Sequence, residues 1–299
     1  MKKSKTFIVF LVVLLSIVSC AGDNSTTYYK VTYDGNGNTG GSVPVDENEY
    51  PEGGSISFMD NTGHMVKTGF CFNGWNTAAD GHGTHWDPND GIAPLESDIL
   101  LYAEWVTYET VIDFDTDSNT ITNYTGISKI VDVPSTLHGK SVLYIGIHAF
   151  TNKSLTEVTL PEGLLGIEAW TFDYNYFTEI SIPSGVTEIG SYSFCHNRLT
   201  SVVIPSSTRW IGEWAFATND LTKITLEGVS FLHSGAFDGN EITEITICAD
   251  ADIAGLYTYE DGSLHHTMGT YGDSFKEAYD SGGKSAGTYV YAGGAWTKL

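Results

Sequence analysis

The stretch IGSYSFCHNRLTSVVIPSSTRWIGEWAF, residues 189–216, contains one hexapeptide twice: IGSYSF ends at Phe194 and IGEWAF ends at Phe216. Working outward, related hexapeptides occur upstream as IEAWTF (167–172) and IGIHAF (145–150), and downstream as LHSGAF (232–237). Their phenylalanines stand at 150, 172, 194, 216 and 237, so the period is 22 residues until a final step of 21. A second element keeps the same period: LTEVTLP from Leu155, FTEISIP from Phe177, LTSVVIP from Leu199, LTKITLE from Leu221 and ITEITIC from Ile242. Asn175, Asn197, Asn219 and Asn240 each follow the motif phenylalanine by three residues. Self-similarity at such a period marks a solenoid of stacked coils.

One coil cannot stand alone. Burying inward side chains such as Ile180, Ile182, Val186, Ile189 and Phe194 returns less free energy than ordering the backbone of the whole coil costs. Neighbours that pair each strand and cover each apolar edge make up the difference. An asparagine repeated at a turn suits this stacking, because its amide can satisfy backbone groups of the adjacent coil. Strand alternation turns Val158 and Leu160 inward and Glu157 and Thr159 outward, and the same register exposes Glu179 and Ser181. The equivalent outward pairs further along are Ser201 and Val203, Lys223 and Thr225, and Glu244 and Thr246. The fourth hexapeptide position carries His148, Trp170, Tyr192 and Trp214 before ending at Gly235. These rings form one column near the surface, with Tyr174, Tyr176 and Trp210 close by. It is either a binding ladder for protein or glycan, or a stack of rings over the coil backbone.

The joined motifs resemble the BspA-like, treponemal-type leucine-rich repeats, whose pattern couples L-T-x-[VI]-x-[IL]-P to I-G-x-x-A-F. The resemblance covers about residues 121–248. It departs at Glu168, which replaces a glycine, and in LHSGAF, where the Ile-Gly pair is lost and an irregular last coil is expected. It implies a mainly β fold, a right-handed leucine-rich-repeat solenoid with a parallel sheet along one face, borne by bacterial surface proteins that bind partners. A longer first coil is expected in ITNYTGISKIVDVPSTLHGKSVLY. Residues 107–248 are taken as the solenoid and 249–299 as a C-terminal cap, with Phe275, Tyr279, Tyr289, Tyr291 and Trp296 closing the core.

Residues 28–106 carry different punctuation. YYKVTYDGNGNTGG, YPEGGSISF, TGFCFNGWNT and ILLYAEW each read as a strand, and Asn73-Gly74 reads as the turn that ends the third. VTYDGNGN, GFCFNGWN and LYAEW, in that order, resemble the internalin-type B repeat, also called the Listeria/Bacteroides repeat. The resemblance implies a small β-grasp-like module without catalytic residues. It also bears on DGHGTHW (80–86), which is similar to the general-base segment of subtilisin-like proteases, with His82 as the base. The chain has no nucleophilic serine in the matching context, and the module is far too small for that fold. The resemblance implies instead that ADGHGTHW is the variable turn following GWNT, with Gly81 and Gly83 allowing a tight connection. A metal loop from His82, His85, Asp80, Asp87 and Asp90, and a calcium loop from Asp113, Asp115 and Asp117, are weaker alternatives. The first is a Gly-rich turn that fixes ligands poorly, and the second lacks the central Gly and closing Glu.

The 299 residues carry 37 acids against 14 Lys and Arg, a formal charge of −23 that repels phosphate backbones, so no nucleic-acid partner is expected. Lys2, Lys3 and Lys5 precede the apolar run FIVFLVVLLSIV and then Ser19-Cys20. This resembles the bacterial lipoprotein signal: residues 1–19 would be removed, Cys20 acylated, and residues 20–27 left as a tether. The alternative is an ordinary signal peptide cut near Ala21. The mature chain would then hold eleven Lys and Arg against 37 acids, a charge of −26. Cys71, Cys195 and Cys248 lack the close spacing of a zinc cluster, form at most one disulfide, and read as small buried residues.

Together these features predict a secreted protein anchored to the bacterial cell envelope by lipid, at the outer-membrane surface, binding a protein or glycan without catalysis and without a cofactor. The competing expectation is a structural or assembly role in the envelope with no external ligand.

Overall fold

The computed structural model describes residues 26–229, 231–233, 235–248, 278–292 and 294–299. Residues 1–19, expected as a leader, and Cys20 and Phe275 lie outside the described residues. About six solenoid turns run across residues 120–247. Phe150, Phe172, Phe194, Phe216 and Phe237 are 0% exposed and form one internal row. Successive centroids are 5.2, 5.3, 5.1 and 5.4 Å apart, with planes within 22° of parallel. Tyr124 begins the row, stacked 5.2 Å from Phe150. It occupies the phenylalanine slot of the long first coil, where neither the Gly nor the Ala of the hexapeptide is present to announce it.

The hexapeptide starts form short parallel strands in a seven-stranded sheet whose register runs Tyr144, Gly166, Glu188, Trp210 and Phe231 side by side. Gly190 and Gly212 are required there, since a Cβ on either would lie 2.5 Å from backbone nitrogens of the preceding coil. Glu168 departs from the glycine without disturbing the stack, because its Oε2 accepts the N–H of Ile147, 3.1 Å away in the coil before. The second strand position is less continuous than the sequence suggests. Ile130–Asp132 pairs with Glu157–Thr159, and Ser201–Ile204 pairs with Lys223–Leu226 and then Glu244–Ile247. Residues 178–182 between them are irregular, so Glu179 and Ser181 do not stand on a strand.

The last coil keeps its register, contrary to the expected irregularity: Leu232 pairs opposite Ile211, and Phe237 fills the row. The missing residue is absorbed one turn earlier, where Glu227-Gly228 does the work of Pro205-Ser206-Ser207. A Cβ on Gly228 would meet the Ser206 carbonyl oxygen at 2.4 Å. Beyond Ile247 the hairpin Gly287–Ala292 and Ala295–Lys298 adds two antiparallel strands. Tyr279, Tyr289 and Trp296 enter the solenoid core, and Tyr291 packs against it.

The N-terminal segment forms a four-stranded mixed sheet, in the order Val31–Asp34, Ile99–Thr107, Phe70–Asn76, His85–Trp86. Its core gathers Val31, Tyr33, Phe58, Phe72, Trp75 and Leu101, with Trp75 fully buried and its indole N–H donating to the Met59 carbonyl at 2.8 Å. Asn73-Gly74 does not end the strand. The chain continues through a bulge, with Gly74 at φ +97° and pressed so close to Trp86 that a Cβ would sit 2.5 Å from its carbonyl oxygen. The two segments are fused: Ile99–Thr107 runs directly into the helix Tyr108–Val111, and Cys71, Tyr108, Val111 and Ile112 belong to the solenoid core.

Candidate binding surface

His148, Trp170, Tyr192 and Trp214 form the expected column, with centroids 5.3, 5.3 and 6.2 Å apart and planes within 21°. All four have left-handed backbones, φ 54–61°, and Gly235 continues the series at 65°. Left-handed geometry is unfavourable for bulky residues, so ring stacking between coils compensates the strain that Gly235 avoids. Beyond Trp214 the column meets the Gly235 backbone, where a Cβ would lie 3.0 Å from the Trp214 ring, so that position has no room for another side chain. Trp170 and Tyr192 each have a ring neighbour on both faces within the column.

Two further exposed rings border a groove of about 420 Å³ on the seven-stranded sheet. Its floor is Gly166, Ile167 and Gly190; Tyr144 and Ile147 form one wall and Trp210 the other, with Glu168 and Glu188 between them. Tyr144, Ile147 and Trp210 are 36%, 55% and 42% exposed. The groove exists because Gly166 interrupts a column that otherwise carries Tyr144, Glu188, Trp210 and Phe231. A Cβ on Gly166 would meet the Tyr144 ring at 2.9 Å, so Tyr144 leans across it. Trp210 stacks on Phe231 at 4.8 Å and 12°, which leaves its opposite face toward Glu188 and the groove. The Trp-Ile-Gly triplet at 210–212 signalled Trp210, but Gly166 becomes meaningful only once the coils are superposed.

Glu157, Thr159, Glu179 and Ser181 are all exposed. They do not form one uninterrupted stripe. Glu157 is engaged by His64 of the N-terminal segment, Nδ1 to Oε2 3.1 Å, and beside it Lys129 pairs with Asp60. Glu157 and Glu179 line an open cleft of about 550 Å³ with Tyr176 and Arg198, whose guanidinium lies 4.7 Å over the Tyr176 ring.

His82 sits exposed on its turn, its backbone N–H held by Asp80 Oδ1 at 3.0 Å. His85 is brought to Glu104 and Asp87, 3.1 Å from each, rather than to His82. Burial favours a neutral imidazole at His85, yet the hydrogen bonds to Glu104 and Asp87 outweigh it and raise its pKa. For Glu104 burial acts against the charge, while Asn76, Asn73 and His85 prevail and lower it. Asp113, Asp115 and Asp117 belong to a hairpin. Asp115 accepts the Asp117 N–H and the Ser118 hydroxyl, and Asp113 accepts the Asn123 amide. Cys71 and Cys195 are buried and Cys248 half-buried, all as free thiols. Burial pushes Cys71 up to about 11 and Cys195 up to about 12.

Residues 143–265 match the BspA type leucine rich repeat region in six copies, and residues 29–104 match the Listeria-Bacteroides repeat domain. The chain therefore carries both repeat types that its motifs suggested. It is 35% identical over 92 residues to a protein named as a Gly-rich membrane protein of Evansella cellulosilytica, covering 29% of this chain and 10% of the relative. A second protein of that organism, named as a membrane protein, is 32% identical over 84 residues, covering 28% and 12%. The chain thus spans about a tenth of the length of these curated relatives. Among solved structures, a leucine-rich repeat protein of T. pallidum is 24% identical with a TM-score of 0.36, covering 45% of this chain and 77% of that one. A leucine rich cell surface protein from Faecalibacterium prausnitzii is 20% identical with a TM-score of 0.31, covering 51% and 57%. Among the described residues, no helix is long and apolar enough to cross a membrane.

Proposed function

We propose that this protein is a non-catalytic cell-surface binding protein, adhesin-like in role, whose solenoid presents the Tyr144–Trp210 groove to a protein partner. The single observation that carries this reading is the groove itself. Two half-exposed aromatic walls flank two carboxylates on a sheet that repetition makes rigid, an arrangement suited to a basic side chain held by ring face and charge together. A net charge of −23 adds attraction for a basic segment. The lipid anchor at Cys20 completes the proposal by holding the chain on the envelope, with the N-terminal segment between membrane and solenoid. Attachment through acyl chains on the new N-terminal cysteine is strong enough to last.

The test is retention of the purified chain on a panel of extracellular-matrix proteins and glycans at low and high salt. Tyr144→Ala plus Trp210→Ala should weaken retention on a protein partner at least about tenfold, with salt weakening the wild type. Trp170→Ala plus Trp214→Ala should leave retention largely intact, because those faces are already occupied. Retention unaffected by the groove pair would sink the proposal.

A further inference from the structure

Two turn positions of the repeat, the first and second residues after the motif phenylalanine, run as columns down the solenoid. The first holds Thr151, Asp173, Cys195, Ala217 and Asp238; the second holds Asn152, Tyr174, His196, Thr218 and Gly239. In two consecutive coils these columns place an oxygen, a sulfur and a nitrogen donor together. One ligand atom each from Asp173, Cys195 and His196 lies within 4.8 Å of the others. Asp173 and Cys195 are buried, 7% and 2% exposed, while His196 is half-buried at the solvent edge.

From this juxtaposition we infer a transition-metal site in the solenoid, with Asp173, Cys195 and His196 holding a zinc ion and water completing four-coordination on the solvent side. The donor set selects the ion. Sulfur and nitrogen donors exclude calcium and magnesium, and three protein ligands of mixed type with one open position suit zinc. The charge count agrees: a carboxylate, a thiolate and a neutral imidazole offset a dication, with the Cys195 proton released to solvent as the metal–sulfur bond forms. The donors are also held in place. The Asn197 amide grips the Cys195 carbonyl at 3.1 Å, and the Tyr174 N–H donates to that same oxygen at 3.2 Å. The Tyr174 ring lies flat on His196, centroids 4.0 Å apart and planes 11° apart, which holds the plane of the imidazole. His196 Nδ1 already lies 3.0 Å from Asp173 Oδ1, close to the separation two ligands of one ion adopt. The site belongs to the edge of the stack, away from the Tyr144–Trp210 groove, and stands independently of the proposed binding role.

Cobalt(II) chloride titrated into the full reduced chain tests it, because cobalt substitutes for zinc and reports a thiolate ligand as an ultraviolet charge-transfer band. The wild type should develop the band at one equivalent, lose it on addition of zinc chloride, and melt at a higher temperature with zinc. The repeat itself supplies substitutions its backbone accommodates: Cys195→Ala copies Ala217, His196→Asn copies Asn152 and Asp173→Thr copies Thr151. Cys195→Ala should abolish the band, and each of the other two should weaken binding by at least about tenfold, with unchanged far-ultraviolet circular dichroism verifying the fold. Absence of the band in the wild type, or a band that survives Cys195→Ala, overturns the site.

Discussion

Asn197 shows how a single side chain ties the stack together. Its amide N–H groups donate to the carbonyls of Phe172, Phe194 and Cys195 at 3.0, 3.2 and 3.1 Å, and its Oδ1 accepts the Phe177 N–H at 3.2 Å. Asn175, Asn219 and Asn240 repeat the pattern one coil apart, each reaching the phenylalanine carbonyl of the coil before. A buried amide that loses its partners costs more than the bond is worth. Asn197→Ala is expected to destabilise the chain by about 2–4 kcal/mol, since it strands several buried backbone groups at once. Chemical denaturation of the variant measures this, and a loss below about 1 kcal/mol would mean that water takes over the amide's role.

At the scale of one element, the edge of the N-terminal sheet contains a titratable pair. His85, on its two-residue strand, is raised, and Glu104, on the long strand Ile99–Thr107, is lowered. A raised imidazole contributes stability that is full below its ordinary value near pH ~6.5 and is lost as pH rises through the folded value. A lowered carboxylate contributes above its ordinary value and is lost as pH falls through the folded one. Both partners are charged only between the two folded values, so the stabilising effect of His85 is lost as pH rises from its ordinary value through the raised folded one. The His85 side chain is 41% exposed, so solvent screening limits the effect to under about 1 kcal/mol. Melting temperatures of wild type and His85→Gln should differ at pH 6 and converge as pH rises through the raised His85 value; a gap independent of pH would assign the pair no role.

At the scale of the whole molecule, the N-terminal segment is part of the solenoid's closure as well as a neighbour of it. The Cys71 thiol lies 3.4 Å from the Tyr124 hydroxyl at the head of the aromatic row, and Tyr108 and Val111 cover the first coil. A solenoid needs both ends capped, because an uncovered coil presents apolar surface to water. The Gly287–Lys298 hairpin serves the other end. A chain starting at residue 107 should therefore melt at a lower temperature and bind an apolar dye that the intact chain excludes. An unchanged melting temperature would make the segment a mere spacer.

Repetition is why so much could be read from residues in order. The spacing of Phe150 through Phe237 and of the four asparagines fixes the coil length, the internal row and the stacking, since each coil's inward side chains must meet their copies in the next. Strand alternation likewise located the alternating burial of Glu157, Val158 and Thr159. What the string could not carry were relations between columns. That Gly166 opens a groove between Tyr144 and Trp210, that Glu168 caps Ile147, and that Cys195 faces Asp173 all depend on which positions superpose at a given turn. The fusion of Cys71 into the solenoid core joins residues 53 apart through a non-repeating interface, for which no period exists to read. Local pattern set the coil; the packing of one coil against another decided which side chains meet, because those contacts run perpendicular to the chain.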